Sequence, residues 1–82
     1  MKPDLDTVRA GLQDCLRETF FDDGIEIFDE MTADDVDGWD SLAHVRLLMH
    51  VERRFGVTMT DEAAERVANV GALARLIHDR AA

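Results

Sequence analysis

The chain has 82 residues and a formal net charge of -9, and it is 46% hydrophobic and 33% charged. That length makes a single domain, residues 1–82, with one modest core, and the composition is neither low-complexity nor disordered. So acidic a chain is repelled by phosphate backbones and anionic membranes, which excludes nucleic acid and membrane as expected partners and favours basic protein surfaces.

Its one cysteine cannot form an internal disulfide, Met1-Lys2-Pro3-Asp4 is too charged for a signal peptide, and no apolar run approaches a membrane span. A cytoplasmic monomer is the expectation.

Residues 3 to 21 predict one amphipathic helix of about four or five turns. Pro3 suits a first turn, Asp4 and Asp6 put negative charge at its start, and Leu5, Val8, Leu12, Cys15, Leu16 and Thr19 recur at intervals of three and four. Cys15 beside Leu12 and Leu16 reads as a small buried hydrophobe and not as a reactive thiol. Gly11 costs helix propensity, which close approach of another helix would justify.

From Phe20 to Asp40 the period breaks. Phe20, Phe21, Ile25, Ile27, Phe28, Met31, Val36 and Trp39 give this connection enough apolar surface to pack over a helical core as a long ordered loop tied down by its own side chains. Asp22, Asp23, Glu26, Asp29, Glu30, Asp34, Asp35, Asp37 and Asp40 place half of the 18 acids here, with no lysine or arginine among them. A calcium loop with Gly38 at its sixth position would put Ala33 at the first and His44 at the twelfth, so two key ligands are missing. Zinc fares no better, since Cys15, His44, His50 and His78 show no ligand spacing. No metal site is expected.

Gly38-Trp39-Asp40-Ser41-Leu42 follows, and it holds the only serine in the chain. Asp40 and Ser41 are both good N-cap residues for a second helix running from about Ser41 to Phe55. Two readings of Ser41 stand side by side. It is a plain N-cap, whose removal costs about 1 kcal/mol, or it presents its hydroxyl where unpaired N–H groups and the helix dipole favour a phosphate diester.

Asp40, Ser41 and His44 have the residue types of a hydrolase triad, but neighbours this close on one helix cannot readily form it, and no glycine-rich turn supplies an oxyanion hole. The chain reads as non-catalytic, with His44 a solvated edge residue.

The second helix is apolar on more than one face. Leu47, Leu48, Val51 and Phe55 point to the core, which leaves Leu42, Val45 and Met49 on a neighbouring stripe that is either a docking surface or a broad extension of the core face. Gly56 stops the helix, and Val57-Thr58-Met59-Thr60 is extended. Thr60 or Asp61 then caps a short helix reaching Val67, and Asn69 caps a last helix with Val70, Leu73, Leu76 and Ile77 as its core stripe. The fold class is all-α, a bundle of three longer helices plus one short one.

Val36-Asp37-Gly38-Trp39-Asp40-Ser41-Leu42 resembles the phosphopantetheine attachment motif of acyl carrier proteins, whose core is Asp-Ser-Leu. The resemblance continues through Val45-Arg46-Leu47-Leu48-Met49, Val51-Glu52-Arg53-Arg54-Phe55-Gly56-Val57, Thr60-Asp61-Glu62-Ala63 and Val70-Gly71-Ala72-Leu73. It implies a 4'-phosphopantetheine arm, taken from coenzyme A by a phosphopantetheinyl transferase and attached to Ser41, with Asp40 in the transferase recognition motif. The arm's thiol would carry a thioester loaded by an acyl or aminoacyl ligase and used by a downstream transferase or synthase. Leu42, Val45 and Met49, with Asp37 and Arg46, would meet these partners, and Leu47, Leu48, Val51 and Phe55 would border a cavity for an acyl chain.

Fatty-acid carriers place several acids along the second helix, where this chain has Ala43, Arg46, Arg53 and Arg54, with Glu52 as its only acid. The Trp39 and His44 flanks resemble free-standing carriers of specialised pathways. The alternatives are a housekeeping fatty-acid carrier and, more remotely, an acidic adaptor with no prosthetic group.

Overall fold

A computed structural model describes residues 2–81. Four α-helices follow one another, α1 (Leu5–Phe20), α2 (Ser41–Phe55), α3 (Glu62–Glu65) and α4 (Val70–Arg80), with a single 3₁₀ turn at Ala33–Asp35 between α1 and α2. The all-α bundle of three longer helices and a short one is the architecture expected from the periodicity. Among the described residues no helix is long and apolar enough to cross a membrane.

Each α-helix starts where a short polar side chain takes up an orphan N–H of the first turn. Asp4 accepts from Thr7, Asp40 from Ala43, Asp61 from Ala64 and Asn69 from Ala72. The ends differ. Gly56 closes α2 at φ 65°, a conformation that costs glycine little. Phe21 closes α1 at φ 52° although it carries a side chain, and that side chain stands 95% exposed. Short α3 stops at Glu65, before Val67, because the chain must turn there to bring Asn69 into its capping position.

The core is built from the predicted stripes. Val8, Leu12, Cys15 and Leu16 of α1 meet Leu47, Leu48 and Val51 of α2 and Val70, Leu73 and Ile77 of α4, all buried. Fully burying one such aliphatic side chain contributes about 1.5–3 kcal/mol. Gly11 shows why α1 tolerates a glycine: a Cβ there would lie 2.6 Å from the Phe55 ring, so its absence lets α2 close on α1.

The 20–40 connection is ordered, with Ile25 and Met31 buried in the core. It is tied down less by its own side chains than by other elements. Arg17 donates from Nε to the Ile25 carbonyl at 2.8 Å, and Gln13 accepts the Ile27 N–H. Arg9 holds both Asp29 carboxylate oxygens at 3.0 Å. The carbonyls of Asp29 and Met31 in turn accept the N–H groups of Gly71 and Val70 at 2.9 and 2.8 Å, so the loop is strapped across the mouth of α4. The 3₁₀ turn inside this stretch is set by a capping box in which Thr32 and Asp35 satisfy each other's backbone N–H.

Candidate functional site

Ser41 is the first residue of α2 and is exposed. The N-cap is Asp40, whose Oδ1 accepts the Ala43 N–H at 2.8 Å while its carbonyl accepts that of His44 at 2.9 Å. The plain-cap reading of Ser41 is thereby corrected: Asp40 takes that role, and the serine hydroxyl is left for other chemistry.

The mouths of α2 and α4 are built differently. At α4 the first three N–H groups are taken by Met31, Asp29 and Asn69. At α2 the loop does not fold back, and among the described residues the N–H groups of Ser41 and Leu42 find no such acceptor. Open N–H groups and the positive end of a helix dipole are the ordinary receptors for a phosphate. Asp34, Asp37 and Asp40 oppose a freely diffusing anion here, so a phosphate is better held by a covalent bond than by association.

An open groove of about 680 Å³ lies in front of Ser41. Trp39, His44 and Val45 form its α2 side, Met31 and Asp34 its loop side, and Glu65, Val67 and Leu73 the opposite wall. None of Leu47, Leu48, Val51 and Phe55 lines it, so the large hollow lies outside the core stripe that the resemblance assigned to an acyl cavity.

His44 differs from the solvated edge residue expected. It is half-buried, with Nδ1 3.2 Å from Trp39 Nε1 and Nε2 3.1 Å from the Ala64 carbonyl oxygen. Both ring nitrogens are occupied and neither faces Ser41, which removes the general base a triad would need. Sequence reading missed this bridge because Ala64 lies 20 residues away and offers only its backbone. A tryptophan five residues before a histidine was the available signal.

The neighbouring stripe of α2 is exposed, with Leu42 at 61%, Val45 at 50% and Met49 at 51%. Arg46 and Arg53 are also exposed, and among the described residues neither has an acidic partner within ion-pair distance. Positions 42, 45, 46, 49 and 53 fall on one face at 100° per residue. Asp37 is exposed in the turn before α2, at the Ser41 end of that face.

Cys15 is 2% exposed, and burial pushes its thiol up to about 11. It is a packing residue with no access to the groove.

Residues 37–77 match the model of the phosphopantetheine attachment site family, half of the chain. The chain belongs to this family. Over 42 residues it is 48% identical to an acyl carrier protein of Helicobacter pylori strain G27, covering 51% of this chain and 54% of that protein. An acyl carrier protein of Helicobacter acinonychis is 45% identical over the same length. The match thus spans about half the length of these relatives. No solved structure gives a significant match. The matched stretch runs from the turn before α2 to within the last turn of α4, so it contains the open helix mouth, the exposed α2 face and all of the groove except its loop side at residues 31–34.

Proposed function

We propose that residues 1–82 act as a non-catalytic carrier domain whose 4'-phosphopantetheine arm is joined to Ser41. The observation that carries this reading is an exposed serine at the open mouth of α2, released from capping by Asp40, in a chain of the phosphopantetheine attachment site family. The residues fit the group. Ser41 Oγ would take the phosphoryl end of the arm from coenzyme A under a phosphopantetheinyl transferase, the pyrophosphate bond breaking to release adenosine 3',5'-bisphosphate and the serine proton passing to the transferase or solvent, and the open Ser41 and Leu42 N–H groups would suit the negative charge of the diester. When bound, the arm supplies a thiol on which an acyl or aminoacyl cargo is held as a thioester. Asp40 fixes the start of α2 and hence the direction in which Ser41 points, and the groove lets the arm lie against the protein.

Partner enzymes meet the exposed face of Leu42, Val45 and Met49, with Asp37 at its Ser41 end and Arg46 along it. We assign the carrier to a specialised cytoplasmic pathway and not to housekeeping fatty-acid synthesis. What supports this is the charge on α2: Arg46 and Arg53 stand on the docking face, while Glu52, the one acid of the helix, is turned away to accept the Met59 N–H at 3.0 Å. A strongly basic partner surface is repelled by that pattern, and one mixing apolar and acidic groups is favoured.

The test charges the arm-bearing protein with a panel of acyl and aminoacyl ligases beside a fatty-acid synthase set. Preferential loading by a specialised ligase supports the assignment, and efficient turnover by the fatty-acid enzymes contradicts it.

A further inference from the structure

The two contacts of His44 determine its chemical form. An indole N–H only donates and a carbonyl oxygen only accepts, so Nδ1 facing Trp39 must hold a lone pair and Nε2 facing Ala64 must carry the hydrogen. Neither the other neutral tautomer nor the imidazolium satisfies both contacts. Trp39 is itself held, its ring plane within 19° of that of His44 with centroids 6.0 Å apart, and packed against Phe20 of α1 at 5.6 Å.

The bridge sits at a decisive place. It joins the first turn of α2 to α3, whose 4 residues are too few to persist as a helix without tertiary support. Glu65 and Val67, at and just beyond the end of α3, form part of the groove wall opposite Ser41. Ala64, which receives the hydrogen bond, is fully buried and does not line the groove, and the same holds for Leu47 of α2, whereas buried Leu73 forms part of the groove wall. The imidazole thus lines the groove on one side and bonds a buried backbone carbonyl on the other, at the seam between α2 and α3.

We propose that His44 is a positioning residue which, as its neutral Nε2–H tautomer, latches α3 to the first turn of α2 and closes the way from the Ser41 groove into the core. A cargo beside Ser41 is then kept in the groove, and a long alkyl chain is not admitted between the helices. The cargo half rests on the carrier reading, and the latch half does not.

The latch is read first on the unmodified protein, by two-dimensional ¹H–¹⁵N spectra of the imidazoles at neutral pH. The expected result is one tautomer at His44, protonated at Nε2, with its Trp39 indole N–H shifted by the bond. A protonated Nδ1, or averaging between tautomers, overturns the proposal.

His44→Ala should speed amide exchange in α3 by about fivefold, the loss of roughly one net hydrogen bond. His44→Gln, which keeps a donor of similar reach, should restore most of it, and equal exchange in all three proteins contradicts the latch. For the cargo, octanoyl and small polar groups are placed on the arm and the methyls of Leu47 and Ile77, buried residues that do not line the groove, are followed. They should stay unshifted in wild type and shift with octanoyl in His44→Ala. Shifts with octanoyl in wild type would overturn the exclusion. If no arm can be attached, the carrier reading fails while the tautomer and exchange results still decide the latch.

Discussion

Asp40 caps the helix that Ser41 begins: the carboxylate accepts the Ala43 N–H at 2.8 Å, and the serine next to it stands exposed at the first helical position. Two adjacent residues that both suit an N-cap have divided the work. The consequence is measurable in stability. Ser41→Ala should change thermal or urea stability by less than about 0.5 kcal/mol, as for exposed sites without special contacts, whereas Asp40→Ala should cost about 1 kcal/mol. Equal losses from the two variants would contradict this division.

The strap over α4 depends on a missing side chain. A Cβ on Gly71 would lie 2.8 Å from the Asp29 Cβ and 2.9 Å from its backbone oxygen, which cannot swing aside. Alanine gains about 1 kcal/mol of helix propensity, but displacing the loop costs about 1–3 kcal/mol. Gly71→Ala should therefore be neutral to destabilising, with faster amide exchange at Val70 and residue 71. A clear rise in melting temperature with unchanged exchange would show that the loop is not held there.

Acid should weaken the same strap. The Arg9 guanidinium bonded to Asp29 holds that carboxyl below its ordinary value of 3.8, and Arg80 does the same for Asp61. A carboxyl whose folded value is depressed contributes stability that is complete above the unfolded value and is lost as pH falls through the folded one. Stability should thus hold down to about pH 4 and decline below it. Asp29→Asn should be less stable than wild type at neutral pH and show a shallower acid limb. An acid limb of unchanged slope would remove Asp29 from the account.

The proposed docking along α2 should separate from folding. Met49→Glu places a charge on a half-exposed site, so stability should change by about 0.5 kcal/mol or less, while cargo transfer to a partner falls at least about tenfold if an apolar anchor is lost. Arg46→Glu should chiefly slow association and reduce its salt dependence. Unaltered transfer by both variants would place the partner elsewhere.

Much of this was legible in the sequence, for identifiable reasons. Helical periodicity placed α1 and α2, because Leu12, Leu16, Leu47 and Val51 each repeat at the spacing of a buried stripe. Asn69 marked the start of α4, and Gly11 suggested the close approach of another helix without saying which, the structure supplying Phe55 of α2. What lay hidden were contacts between backbone groups distant in sequence. Nothing in Asp29 or Met31 announces that their carbonyls cap α4, and nothing in His44 announces Ala64 as its partner. The choice between Asp40 and Ser41 as cap was also closed to sequence reading, since both side chains can make the same hydrogen bond.

Attachment to Ser41 is tested most directly by intact-protein mass after incubation with coenzyme A and a promiscuous phosphopantetheinyl transferase, wild type beside Ser41→Ala. Because the Cys15 thiol is buried and pushed up to about 11, a thiol reagent applied to the native protein reports the arm alone and checks the same result. The account predicts one added phosphopantetheine and one newly reactive thiol on wild type, and neither on Ser41→Ala. A folded wild type that gains no mass with several transferases, or a Ser41→Ala protein that is modified equally, would contradict it.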